Sequence, residues 1–203
     1  MKSLRKGIGN RKDVESYYDD WSSSYNETLN KWNYKAPLQS ASILKSYIKT
    51  KPKYLLDLAC GTGLFVEKFL QFFPGCICDG SDISRKILNI SKKNGKYRNL
   101  YKKNFENKIQ LSHKYNLVSL IGAMTYCKNH KSLFKLVSNY LFKNGYFIFT
   151  HRADLWRDQK FDNVLSSLID FELVHKSKAL NYLPKNKDFG SDIKIRIVLL
   201  LKK

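Results

Sequence analysis

Val14, Tyr18, Trp21 and Tyr25 recur at steps of three and four residues, the spacing that puts side chains on one face of a helix. The stretch "NYKAP" breaks that run, and Leu38, Ala41, Leu44 and Ile48 form a second apolar stripe, which "KTKPK" ends. Beyond this point the period changes. Short, nearly continuous apolar runs at Tyr54–Leu58, 76–80, Asn99–Lys102, 116–121 and 146–150 predict strands. Helical patterns lie between them at 64–73, 84–93 and 131–142, each ending near a Pro-Gly, Asn-Gly or Lys-Asn-Gly signal. Such alternation predicts a parallel sheet buried on both faces by helices. The rhythm fails at the C-terminal side, where a helix over 162–168 is followed by "FELVHKSKAL" and "DIKIRIVLLLKK" with only a loop between them. Two strands without a crossover helix must pair antiparallel. The expected architecture is α/β, a three-layer α-β-α sandwich whose mostly parallel, seven-stranded sheet ends in an antiparallel hairpin.

No repeat, low-complexity linker or Pro-rich boundary interrupts the pattern, so residues 1–203 are expected to form one domain around one core. No apolar run approaches the ~18 to 20 residues that span a bilayer, and "MKSLRKGIGNRKD" has no apolar stretch behind its basic residues. A soluble, cytoplasmic protein without membrane insertion is expected. Cys60, Cys76, Cys78 and Cys127 contain no Cys-x-x-Cys pair, which points to buried thiols in a reducing compartment rather than to a metal site. The formal charge is +20, and between residues 85 and 114 the single acid Glu106 faces ten basic residues, among them Arg85, Lys96, Arg98, Lys102 and Lys103. A surface of that kind attracts RNA or acidic partners. Lysine far outnumbers arginine, however, and specific readers of nucleic acid lean on arginine's planar fork. A solvated lysine surface is the simpler reading.

Candidate chemistry lies at the first glycine turn, in "YLLDLACGTGLFVEKF". In an open parallel sheet a ligand binds beyond the carboxyl ends of the strands. Gly61 and Gly63 allow a tight turn and let a ligand lie against bare backbone beside a helix start. A dinucleotide site wants a third small residue in G-x-G-x-x-G, and Val66 stands there, so a nicotinamide cofactor is disfavoured. No G-x-x-x-x-G-K-[ST] occurs, which removes a P-loop. Asp82 follows the next strand, where a carboxylate can accept from both hydroxyls of a ribose, and Asp57 at the end of the first strand suits an ammonium better than a phosphate.

With these residues in view, the chain resembles the class I S-adenosylmethionine-dependent methyltransferases. "LDLACGTG" is similar to their first motif, "GSDIS" to the ribose-binding motif of the second strand and "KKNFEN" to the third-strand loop. "YNLVSLIGAM" and "LFKNGYFIFTHR" resemble the fourth and fifth strands, and the terminal hairpin is also a family trait. The opening "YYDDWSSSYNETLNKWNYKAP" resembles the small methyltransferase-like proteins of the Williams-Beuren syndrome region group, in which such a segment folds over the cofactor. The resemblance implies a Rossmann-like fold, S-adenosylmethionine as cofactor and an N-terminal helical lid over residues 12–50. It implies that the carbonyl of Ala59 meets the methionine ammonium, with Gly61 and Gly63 making room. It further implies that Asp82 takes the ribose, Ile83 packs on the adenine, Asn104 and Phe105 meet the adenine edge, and Ile121 with Gly122 lies by the sulfonium. Tyr25 is the expected lid contact to the cofactor. Asn104 and Asn116 stand where the family often has Asp, and "KNGY" replaces a frequent Pro-Gly-Gly.

Methyl transfer from a sulfonium needs alignment above all, and a base only if the acceptor must lose a proton. His151, after the fifth strand, is the first candidate base and Tyr126 the second. Tyr18, His130 and Arg152 are candidate substrate contacts, Arg152 through a carboxylate. The place after the fourth strand reads "GAMTYC", without the Asn-Pro-Pro-Tyr segment often used to grip planar nitrogens. A small-molecule acceptor is therefore expected. The alternatives are an RNA or protein acceptor met by the 85–114 surface, and a binding protein without catalysis.

Overall fold

A computed structural model describes residues 10–189 and 192–203. The elements run α1 (Arg11–Trp21), α2 (Tyr25–Lys31), α3 (Ala36–Tyr47), β1 (Tyr54–Leu58), α4 (Leu64–Phe72), β2 (Ile77–Asp82), α5 (Arg85–Lys93), β3 (Asn99–Lys102) and β4 (Tyr115–Leu120). They continue α6 (His130–Tyr140), β5 (Leu141–Arg152), α7 (Ala153–Asp158), α8 (Phe161–Ser166), β6 (Phe171–Lys176), β7 (Leu180–Asn181) and β8 (Lys194–Lys202). The strands lie in the order β3-β2-β1-β4-β5-β8-β6, and the short β7 pairs with the start of β8. The first five of that order are parallel; β8 runs antiparallel to both β5 and β6. The expected sandwich with its antiparallel edge is thus the observed fold.

Strand alternation explains the two cores. Leu55, Leu117, Ile148 and Ile197 point to one face and meet Leu44, Phe65 and Phe69 of α3 and α4. Their neighbours Leu56, Val118, Phe147 and Val198 point to the other and meet Phe134 and Val137 of α6. A third cluster joins Tyr17, Trp21 and Leu29 to Leu183, Phe189 and Ile193, tying α1 and α2 to the chain between β7 and β8.

Helix ends follow from local chemistry. Asn10 and Asp13 form a capping box at α1, Ser84 Oγ accepts from the Ile87 amide at α5, and Pro37 sits in the first turn of α3. Three details depart from the expected pattern. Leu38 is 43 % exposed, because the buried face of α3 is carried by Pro37, Ser40, Ala41 and Leu44. β5 starts earlier and ends later than 146–150, and α7 follows it directly. The stripe of α3 also belongs to the second core, which leaves α1 and α2 as the elements above the carboxyl rim. Among the described residues no helix is long and apolar enough to cross a membrane, and no cluster of metal-ligating side chains occurs.

Candidate active site

Strand order reverses between β1 and β4, and the turn after β1 stands at that crevice. Ala59, Gly61 and Gly63 have φ of 49°, 55° and 90°, so the turn uses left-handed backbone at alternate residues. Ala59 and Gly61 line a cavity of about 380 Å³, and a Cβ on Gly61 would lie 3.7 Å from the Tyr25 hydroxyl. Gly63 faces the other way: a Cβ there would meet the Tyr97 ring at 3.2 Å. Asp57 is buried below the turn, where Tyr97 donates to it at 2.7 Å and Ser119 at 2.6 Å. It faces a smaller recess shared with Tyr25, Tyr34 and Ile121. Burial pushes its carboxyl up to about 7 against the pull of the two hydroxyl donors.

Asp82 closes β2 and lines the main cavity with Ile83. Its two oxygens accept from the amides of Gly61 at 3.0 Å and Ser84 at 2.9 Å, and burial raises it to about 6 despite these bonds. Asn104 and Phe105 line the same wall, the Asn104 Oδ1 accepting from the Glu106 amide. Ile121 and Gly122 form the floor beyond β4. Gly122 has φ 83° and donates its amide to Thr150 Oγ1 at 2.7 Å, and a Cβ on it would stand 2.7 Å from the Tyr34 hydroxyl.

Tyr18, Trp21 and Tyr25 roof the cavity from α1 and the start of α2. The Tyr18 and Tyr126 hydroxyls are 3.1 Å apart, and Arg152 completes that end, bound to Asp154 by two hydrogen bonds and stacked 5.3 Å from the Phe189 ring. His151 and His130 do not line the cavity. β5 runs through Arg152, so alternation sends Thr150 and Arg152 to the cavity side and His151 to the opposite face. There His151 is 1 % exposed, packed on Phe161, with Nε2 3.2 Å from Gln159 Oε1. Burial pushes it down to about 4 and also lowers His130. The strand's parity turns His151, the expected base, away from the cavity, and His130, the expected substrate contact, opens α6 and packs on Phe161 outside it.

Several residues at the site carry no signal in the sequence reading. Tyr34 and Tyr182 reach the cavity from the α2–α3 connection and from just after β7, and Tyr97 reaches Asp57 from the loop before β3. Asp19 accepts from the Ser84 hydroxyl and the Lys86 amide, and Glu106 accepts from Arg11 and from the amides of Lys128 and Asn129. Both fasten α1 or the cavity wall to the body. Glu15 adds a pair with Lys102 at 2.6 Å. Each is a long-range contact of a residue type common on surfaces; only the short spacing of Asp19 to the aromatic run hinted at the roof.

Residues 32–183 match the family described as methyltransferase domain. Malonyl-[acyl-carrier protein] O-methyltransferase 2 of Ilyobacter polytropus is 34 % identical over 101 residues, 47 % of this chain and 38 % of that protein, so the match spans well under half of the relative. A methyltransferase of Thermotoga maritima superposes with a TM-score of 0.65 at 15 % identity, covering 93 % of this chain and 99 % of its own. The plantazolicin methyltransferase, solved with S-adenosylhomocysteine, gives 0.62 at 13 % identity over 95 % and 97 %. At those identities the two structures speak for the fold, and the family match covers most of the chain. The chain therefore belongs to the methyltransferase domain family, whose members draw their methyl group from S-adenosylmethionine.

Proposed function

We propose that the chain is an S-adenosylmethionine-dependent methyltransferase acting on a small-molecule acceptor. The observation that carries this is one roofed cavity in which the bare backbone of Gly61, the carboxylate of Asp82 and the floor at Gly122 face the aromatic roof of α1 and α2. The residues fit the cofactor: the cradle at Gly61 is one that a side chain would narrow, and Asp57 and Asp82 are both buried carboxylates beside it. Asp82 would hold the ribose, Ile83 and Phe105 the adenine, and the Ala59 carbonyl, with Asp57 behind it, the ammonium. When bound, the cofactor supplies a methyl group on a sulfonium. The chain's own part is to orient both reactants and to exclude water, and such positioning lowers a barrier by roughly 7 to 11 kcal/mol in favourable cases. α1 and α2 act as the lid. Their aromatic run supports placing the chain beside the Williams-Beuren region group.

A small acceptor is favoured because the cavity is covered, and because the basic surface is partly spoken for. Arg98 binds the buried Asp79, Lys96 pairs with Glu67 and Lys102 with Glu15. Calorimetric titration with S-adenosylmethionine, S-adenosylhomocysteine and NAD tests the cofactor: saturable binding of NAD alone would sink the reading. Asp82→Ala should weaken S-adenosylmethionine by at least about 1 kcal/mol, the scale of a hydrogen bond to a charged group; unchanged affinity removes Asp82 from the site. Labelled methyl transfer should favour deproteinised metabolites over an RNA and protein fraction.

A further inference from the structure

We propose that the acceptor is a small carboxylic acid, bound as its carboxylate where Tyr18, Tyr126, Tyr182 and Arg152 meet; the inference rests on the methyl-transfer reading above. Charge is the first support. Lys103, Lys128 and Arg152 reach the cavity wall from three separate segments, Arg11 beside them is paired with Glu106, and Asp82 is the one carboxylate among the described lining residues. Asp82 is already held by the Gly61 and Ser84 amides at the glycine turn. The Arg152 guanidinium, 6 % exposed and oriented by Asp154 and Phe189, exerts its field on the Tyr126 and Tyr182 hydroxyls and favours their ionised forms. An ammonium acceptor would enter against that field, whereas an anion is drawn in.

The second support is the inventory of protons. At this end the ionisable lining groups are cations, phenols and the Cys127 thiol. Burial raises the phenols of Tyr18, Tyr126 and Tyr182, in the last two against Arg152, and it pushes Cys127 up to about 12. None of these four is ionised at neutral pH, so none is ready to take a proton, and His151 stands on the far face of β5. A hydroxyl or an ammonium acceptor requires a base. A carboxylate, with an ordinary pKa of about 4, arrives ionised. The protonated phenols are then donors: whichever of Tyr18 and Tyr126 donates to the other, the second keeps its own proton to give. Esterification also balances without a proton. The carboxylate oxygen forms the bond to the methyl carbon, the methyl–sulfur bond breaks onto sulfur, and an anion and a sulfonium become a neutral ester and a neutral thioether. Leu183 and Phe189, which share this wall, suit an apolar body on the acid.

The test uses protein loaded with S-adenosylhomocysteine, titrated by calorimetry with 3-phenylpropionate, 3-phenylpropylamine and 3-phenylpropanol, and with octanoate, octylamine and octanol. At least one carboxylate should bind about tenfold or more tighter than its matched amine and alcohol, on the scale of a hydrogen bond to a charged group. Arg152→Gln should abolish that preference, and Tyr126→Phe, which keeps the ring, should reduce it even if the first variant fails to fold. In turnover, the transferred label should be released as volatile methanol by mild alkali. Preferred binding of an amine or alcohol, failure of every carboxylate to bind, a preference unmoved by Tyr126→Phe, or label stable to alkali overturns the inference and leaves methyl transfer standing. Failure of S-adenosylhomocysteine itself to bind sinks both.

Discussion

Tyr97 donates to Asp57 while its ring fills the space beside Gly63 and Gly80, where a Cβ would meet it at 3.2 Å and 2.9 Å. Its ring packs between the glycine turn and β2, beside the Gly61–Asp82 hydrogen bond that links the two. Burial raises Asp57 to about 7, so its charged form predominates in the folded protein only above that pH. The sign follows: a carboxyl whose folded pKa lies above its unfolded value costs stability as pH rises from about 4 to about 7, and the cost is constant above. The Tyr97 hydrogen bond supports the charged form, and its loss is felt most where Asp57 is ionised. Tyr97→Phe should therefore destabilise by about 1 to 3 kcal/mol at pH 8.5 and by clearly less at pH 5.5. Urea melts at the two pH values measure this, and an equal loss at both would refute the link. The place of Asp82 at the cavity was legible in the sequence because it follows from one strand end and one turn. Tyr97 was not, since nothing local marks a loop tyrosine that packs under a turn far along the chain.

At the scale of elements, besides the Tyr18–Tyr126 contact, carboxylates fasten α1 at three points of unequal worth among the described residues. The Glu15–Lys102 pair is partly exposed and contributes little by itself. Glu106 has a side chain only 9 % exposed, and it gathers Arg11 with the Lys128 and Asn129 amides, which lowers its pKa against its own burial. Asp19 bonds the residues that start α5. Glu106→Gln should loosen the roof, with α1 amides exchanging about fivefold faster for each 1 kcal/mol lost, and α3 and α4 amides unchanged. Hydrogen exchange resolved by peptide is the measurement; acceleration throughout the molecule would mean general destabilisation instead. Most helices and most strands were legible from their periods because burial fixes both; α7 and the short β7 were not. The length of β5 was not, and that error of two residues decided which of His151 and Arg152 faces the cavity. A strand's parity is set by where it ends, and no turn signal follows Thr150.

For the whole molecule, a formal charge of +20 sets a self-repulsion that pairs such as Arg98–Asp79 relieve only locally. Screening should therefore stabilise the fold. The thermal midpoint is expected to rise between about 0.05 M and about 0.5 M NaCl, where the screening length falls well below the protein's dimensions; an unchanged or lower midpoint would show that the charges are already neutralised in pairs. The charge was legible from composition, but its partition into paired and solvated lysines required the fold.

The position of β8 carries a consequence for biosynthesis. It lies between β5 and β6, although β6 precedes it in the chain. While the polypeptide is being made, β6 has no partner and β5 shows an open edge until residues 194–202 have left the ribosome. An open strand edge is a template for other chains. The half of the sheet nearest Arg152 thus closes after translation has passed it, and the nascent protein is most exposed to aggregation in that interval.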